Sequence, residues 1–265
     1  MRGDYHVHTA VGSPCAKEEA TVENYLSRCK EEGLCALGFS DHYWEQEVAS
    51  NYWYEVCNFE NLSKIYQTIP QDANGVKIFV GCETDIDKNG VVGISKETAS
   101  KLDFVLIPNS HYHIPTNTPD GLDINDAKAM RAFAIERFLI GCNADLPVHT
   151  CMCHPFIPHG VKDGEGQLSV FTDNDYIECF KEAARKNVFV ELHLGMVTRK
   201  YKKMEANGFA YEYLRMISLA KECGCKFQYG SDAHWLSMFE DHARMEEFAR
   251  ACGIDDSLIL RELSK

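Results

Sequence analysis

The 265-residue chain is short of basic charge: 27 Lys and Arg stand against 40 Asp and Glu, a formal charge of -13. Such a balance repels polyanions unless bound cations or a local basic patch offset it, which argues against a nucleic-acid partner. Long apolar runs are missing too. Nothing approaches the roughly 20 residues of a membrane span, and the opening MRGDYHVHTA has no apolar segment of a secretory signal. No Pro/Gly-rich linker, low-complexity stretch or internal repeat divides the sequence, so one domain over residues 1–265 is expected. The 12 cysteines lack the two-residue gap of a zinc knuckle or redox motif, the tight pairs being Cys151 with Cys153 and Cys223 with Cys225. Without a secretory signal they read as reduced small hydrophobes in a cytoplasmic protein.

What is present is ordinary globular composition, 45% hydrophobic and 25% charged, arranged in a regular alternation. Short β-like runs fall at Asp4–His8, Cys35–Ser40, Lys77–Glu83, Asp103–Pro108, Pro147–Cys153, Val188–His193 and Lys226–Ser231. Helical patterns lie between them at Thr21–Glu32, Phe59–Thr68, Ile124–Cys142, Asn174–Lys186, Phe209–Glu222 and Met238–Cys252. Thr21 and Asp173 suit N-caps, and Gly33 and Gly224 suit helix ends. Repeated βα units predict a parallel sheet covered by helices, either a closed or nearly closed barrel or a doubly wound open sheet. The segments Tyr43–Asn58 and Asn109–Gly121 break the rhythm after strands, which places them over the carboxyl ends as substrate lids or packing covers.

The polar residues fall at the strand ends. His6 and His8 are two apart on the first strand and share a side, as a metal chelate requires. Asp41 and His42 end the second strand, Glu83 the third, His111 and His154 follow the fourth and fifth, and Asp232 and His234 follow the last. Strand ends favour Asp and His in turns anyway, but carboxyl ends of parallel strands converge on one face, where these groups become neighbours. Mixed imidazole and carboxylate ligation suits Zn, Fe or Mn better than Mg or Ca. His113 competes with His111, His149 should face away from His154, and His159 and His242 have no partner pattern and read as surface or cap residues.

In order, DYHVHT, GFSDHY, VGCETD, the His after strand four, CHPF and SDAH resemble the PHP (polymerase and histidinol phosphatase) family over nearly the whole chain. The resemblance implies a distorted (β/α)7 barrel, parallel strands with outer helices, and a phosphoesterase site of two or three metals. By similarity His6, His8, Glu83 and Asp232 would hold one metal, and Glu83 would bridge to a second held by His111 and His154. His42 and His234 would belong to a third. Members usually carry His or Asp six residues beyond the second His of the first motif; here that position is Pro14. Cys15 beside it either supplies a thiolate ligand or is a bystander.

The resemblance implies hydrolysis of a small phosphate monoester by a water bridging two metals, with Asp232 accepting a hydrogen bond from that water and orienting it. His193, two residues beyond Glu191, either helps bind phosphate or protonate the leaving group, or is a hydrogen-bonded structural residue. Arg199, next to Lys200, either clamps phosphate or belongs to a solvated basic loop. Histidinol-phosphate phosphatase, a broader sugar or nucleotide phosphatase, C–N hydrolysis at the same metals and a non-catalytic metal-binding regulatory module are the alternatives. The oligomeric state is left open.

Overall fold

In the computed structural model, residues 2–157, 168–199, 205–206 and 208–263 are described. The strands are β1 (Arg2–Val7), β2 (Leu34–Phe39), β3 (His42–Tyr43), β4 (Lys77–Val80), β5 (Cys82–Thr84), β6 (Phe104–Pro108), β7 (His149–Cys153), β8 (Phe189–His193) and β9 (Phe227–Gly230). The helices are α1 (Val22–Glu32), α2 (Phe59–Ser63), α3 (Lys96–Ala99), α4 (Ala127–Cys142), α5 (Asp173–Lys186), α6 (Leu194–Thr198), α7 (Tyr211–Glu222) and α8 (Ala243–Ala251).

All strand pairs are parallel, in a sheet ordered β1-β2-β4 and a sheet ordered β3-β5-β6-β7-β8-β9. The chain passes from one sheet to the other within a single track, twice: β2 runs into β3 past Ser40 and Asp41, and β4 into β5 past Gly81. The nine strands therefore make the seven tracks of a distorted (β/α)7 barrel. The ring is not closed by a full ladder. Between β1 and the end of β9 it is joined by one isolated bridge, Val7 with Ala233, and by the bonds Asp232 N–H to His6 O (2.8 Å) and His8 N–H to Ala233 O (3.0 Å).

The barrel interior has two tiers. Its lower part is an apolar plug in which Tyr5, Phe79, Phe104 and Phe189 from separate strands meet Leu263 of the C-terminal segment. Tyr5 packs against both Phe79 and Phe104, with ring centroids 5.9 and 6.2 Å away. Above it sit buried His6, His8, Glu83, His154 and Glu191. Simple alternation cannot turn the consecutive Tyr5 and His6 both inward. Here β1 carries an irregularity: Asp4 pairs with Leu37 and Val7 with Phe39, three steps against two. The extra residue re-aims the strand, as β-bulges near active sites do, and lets both side chains enter.

A larger apolar layer lies between the strands and the outer helices, including Phe138, Phe180, Tyr213 and Phe248. Two sequence expectations are corrected at helix ends. Thr172, not Asp173, caps α5: its hydroxyl accepts from Asp175 N–H while Asp175 accepts from the Thr172 N–H, a reciprocal capping box. The apolar pattern over Met238–Cys252 is not one helix. A 3-10 turn over Leu236–Met238 ends first, and α8 starts at Ala243 after Asp241 at φ 67°. No disulfide joins any of the cysteines among the described residues, and no described helix is long and apolar enough to cross a membrane.

Candidate metal centre

At the carboxyl end of the barrel everything converges on Glu83, the central residue of the short strand β5, whose side chain is fully buried. Its two oxygens face different groups. Oε1 lies 3.0 Å from His154 Nε2 and 3.7 Å from His111 Nε2, and accepts from the Cys153 thiol at 3.3 Å. Oε2 lies 3.4 Å from His8 Nε2, 3.6 Å from His6 Nε2 and 3.0 Å from His42 Nδ1. Asp232 Oδ1 completes the second group, 3.2 Å from His8 Nε2 and 3.4 Å from His6 Nε2. Liganding atoms fall within 4.8 Å of one another in three sets: His6, His8, Glu83 and Asp232; His6, Glu83, Cys153 and His154; and His8, His42 and His234.

The outer nitrogens show why these rings aim inward. His6 Nδ1 donates to Glu191 Oε1 at 2.6 Å, and His111 Nδ1 faces both Asp85 oxygens at 3.1 Å. His8 Nδ1 pairs with Ser13 Oγ at 3.0 Å, whose own proton goes to Asp41 at 2.8 Å. His154 Nδ1 meets Ser110 Oγ at 2.8 Å, and His234 Nδ1 meets the Asp232 carbonyl at 3.0 Å. With each Nδ1–H spent outward, Nε2 keeps its lone pair for the centre. Such partners fix the tautomer and orientation of metal-binding imidazoles. His42 is the exception and turns Nδ1 toward Glu83.

Two buried atoms in this cluster, Glu83 Oε2 and His42 Nδ1, have no hydrogen-bond partner. Buried polar atoms are rarely left so, and a cation between the facing oxygens and nitrogens satisfies them. The residues therefore fit a metal centre. Electrostatics agree. Burial pushes the His8 and His154 pKa values down, which keeps both rings neutral. Burial would raise the Glu83 carboxyl, but His111, His6 and His42 hold it well below the ordinary carboxylate range. The same imidazole environment, led by His6, lowers Asp232 against the effect of its burial.

Strained backbone holds the ligands. His154 has φ 27° and Asp232 φ 54°, in the left-handed region that costs a non-glycine residue on the order of 1–3 kcal/mol. Hydrogen bonds fix both: His154 N–H donates to Glu191 Oε2 at 2.7 Å and Asp232 N–H to the His6 carbonyl.

A cavity of about 360 Å³ opens over the ligands, lined by Pro14, Cys15, His42, His111, Asp232 and His234 on one side and Trp53, Tyr54, Val56, Cys57, His113 and Ile114 on the other. Both rhythm-breaking loops thus lie over the site. Trp44 stacks on Tyr54 inside the first loop, and Tyr54 donates to Asp85 at 2.5 Å, so the loop is tied to the carboxylate behind His111. No Lys or Arg lines the cavity among the described residues. A larger cavity, about 800 Å³, lies near His149 and Lys226 at the opposite end of the barrel, away from this chemistry.

His111, not the exposed His113, turns toward Glu83; the His113 ring stands edge-on to it at 5.5 Å. His149 points elsewhere, to Gln228 Oε1 at 2.8 Å. His193 is buried beside His154, its Nδ1 3.5 Å from Glu191 Oε2, and does not line the cavity. Arg199 is exposed at the end of α6 and also stands outside the lining, while Lys200 and His159 fall outside the described residues. His242 requires a correction. It is no surface residue but is buried between Asp4 Oδ2 (2.8 Å) and Glu32 Oε2 (3.3 Å). Cys15 sits at the rim, its thiol hydrogen-bonded to His234 and His42; burial pushes the thiol up, but these bonds win and lower it to about 6. Glu191, Asp85, Ser13, Ser110 and Cys153 escape the sequence reading. Asp85, two residues beyond Glu83, and Glu191, two before His193, carried the same spacing that joins His6 to His8.

A family model described as "PHP domain" matches residues 4–254. A probable phosphatase of Caldicellulosiruptor saccharolyticus is 25% identical over 231 residues, covering 87% of this chain and 79% of that protein. A probable phosphatase of Vibrio campbellii is 24% identical, covering 98% of this chain and 88% of its own. Among solved structures, histidinol phosphate phosphatase from Lactococcus lactis, in complex with zinc, L-histidinol and phosphate, shares the fold. It has a TM-score of 0.58 and 14% identity, covering 95% of this chain and 92% of that one.

Proposed function

This chain belongs to the PHP domain family, and from that premise we propose that it is a metal-dependent phosphatase acting on phosphate monoesters of small metabolites. The observation that carries the reading is Glu83: one fully buried carboxylate presents each oxygen to a different imidazole set, and the oxygen facing His6 and His8 has no hydrogen-bond partner. His6, His8, Glu83 and Asp232 form one ligand set, and Glu83, His111 and His154 a second. Zinc, iron or manganese bound there would supply Lewis acidity, bring water toward neutral pKa and offset phosphate charge. The relatives named as probable phosphatases support the phosphate assignment.

The chain's own groups do the rest. Glu83 and Asp232 supply two carboxylates among the imidazoles of the centre, of which burial keeps His8 and His154 neutral. Asp232 Oδ1, at the cavity floor, accepts a hydrogen bond from the attacking water and orients it. The loop walls around Trp53 and Ile114 take the alcohol part of the ester and exclude solvent from the phosphoryl group. His193, buried beside His154, is assigned the protonation of the leaving oxygen, and Arg199, exposed at the end of α6 outside the cavity lining, is the cation assigned to phosphate.

A screen of phosphorylated metabolites on metal-replete protein, histidinol phosphate included, tests the reading. Release of inorganic phosphate is expected, with at least two equivalents of transition metal in protein purified without chelator. The His6→Ala, His8→Ala double variant should lose a metal and at least roughly 10²-fold in kcat. Turnover of amides with no phosphatase activity would move the reaction class to C–N hydrolysis. Bound metal with no turnover of either kind would favour a regulatory module.

A further inference from the structure

We propose that Cys15 is a metal ligand, completing with His42 and His234 a third, sulfur-containing site at the rim of the cavity. The inference rests on reading the cluster as a metal centre but not on the substrate. Three observations carry it. First, the Cys15 thiol makes side-chain hydrogen bonds to both rings, from the cavity side. Ring nitrogens of His8, His42 and His234 already lie within 4.8 Å of one another. Second, His42 Nδ1 is buried without a hydrogen-bond partner, 3.0 Å from Glu83 Oε2, an equally unpartnered atom on a fully buried side chain. The rings are thus arranged for more than a hydrogen bond to one thiol.

Third, the loop carrying Cys15 is stapled down on both sides of it. Thr9 donates to Asp41 from N–H and from Oγ1, each at 2.6 Å, and Ser13 Oγ donates to Asp41 at 2.8 Å. His42 N–H in turn donates to Ser13 Oγ at 3.1 Å. A Cβ on Gly12 would overlap the Asp41 carboxylate, so the chain can take this course only with glycine there. Beyond Cys15, Ala16 N–H bonds the Ser13 carbonyl at 3.0 Å and Lys17 N–H the His234 carbonyl at 2.9 Å. The last bond ties the cysteine's loop directly to a histidine of the same set. A ligand held this way loses little entropy when it binds a metal.

One sulfur and two imidazole nitrogens select a borderline ion such as zinc, iron(II) or cobalt(II) over magnesium. Three protein ligands leave a coordination position open, as in catalytic rather than structural sites. A bound cation deprotonates a coordinating thiol outright.

The test uses the full chain, stripped with chelator and titrated with Co²⁺ alone. The wild type should develop sulfur-to-cobalt charge-transfer absorption in the near ultraviolet. Cys15→Ser should remove that band and one equivalent of bound cobalt. Cys15→His should restore the equivalent without the band. Cys153→Ser, which alters the other thiol near the centre, should leave the band in place. A full cobalt load without a sulfur band, or a band that survives Cys15→Ser and vanishes in Cys153→Ser, overturns the proposal while leaving the two-set centre intact. A wild-type chain that takes up no cobalt overturns both readings. Phosphatase activity enters none of these readouts.

Discussion

At the scale of single residues, metal binding depends as much on the groups behind the imidazoles as on the imidazoles themselves. Asp85 accepts from His111 Nδ1, from Tyr54 Oη and from Asn117 Nδ2 at 3.0 Å, so one carboxylate fixes a ligand and the cavity wall together. Asp85→Asn keeps the shape but removes the charge that holds His111 with Nε2 toward Glu83. Metal affinity at the His111–His154 set is expected to fall by roughly 10- to 100-fold, read by competition with a chelating dye. An unchanged affinity would mean that packing alone aims His111. The inward-facing ligands were legible in the sequence because a chelating pair two apart on a strand, and Asp or His at successive strand ends, leave a periodic trace. Glu191 left only its spacing from His193, and Ser110 left none. Their partners lie 185 and 44 residues away along the chain, and only the closing of the barrel creates those contacts.

Individual elements position the site through two devices, a close approach and a helix start. On β9, Gly230 lies where a Cβ would overlap Glu191 Oε1 and press on His6 Cβ at 2.8 Å. Gly230→Ala should cost roughly 1–3 kcal/mol by overpacking and should also weaken metal binding, because Glu191 cannot then keep its bond to His6. Thermal melting and metal content check this together; wild-type values for both would show that Glu191 has room to move. Thr172→Ala provides the contrast. It removes the capping box of α5, far from the ligands, and should cost about 1 kcal/mol with turnover unchanged. A loss of turnover there would mean that α5 does more than cover the sheet. Most strands and helices were legible because hydrophobic periodicity survives in each of them. The break between Met238 and Ala243 was not: its apolar pattern continues through a turn set by the left-handed Asp241. Nor was the irregularity in β1, since both of its inward side chains, Tyr5 and His6, belong to different tiers of one interior.

Over the whole molecule, the two ends of the sequence are joined by His242. It stands at the start of α8, reaches Asp4 on β1 and Glu32 at the end of α1, and is 1% exposed. Asp4 in turn accepts from His6 N–H and Ser231 N–H at 3.0 and 3.1 Å, so the network braces the strands on which the ligands sit. The hydrogen bond from His242 is the largest influence on Glu32 and, with backbone N–H groups, lowers it to about 2 despite partial burial. Burial disfavours the His242 cation, but its bonds to Asp4 and Glu32 outweigh that and raise its pKa. A depressed carboxyl stabilises the fold above its ordinary value of 4.5 and loses that contribution as pH falls toward 2. A raised imidazole contributes fully below its ordinary 6.5 and loses the contribution as pH rises through its folded value. Both terms are therefore complete only between about pH 4.5 and 6.5. Glu32→Gln should lower stability there by on the order of 1 kcal/mol, allowing for screening at the partly exposed carboxyl, or roughly 2–4 °C in Tm. The difference between variant and wild type should shrink to nothing as the melts are taken down toward pH 2. A difference that persists undiminished at that pH would show that Glu32 acts through packing, and that no charge pair fastens the end of the chain to its beginning.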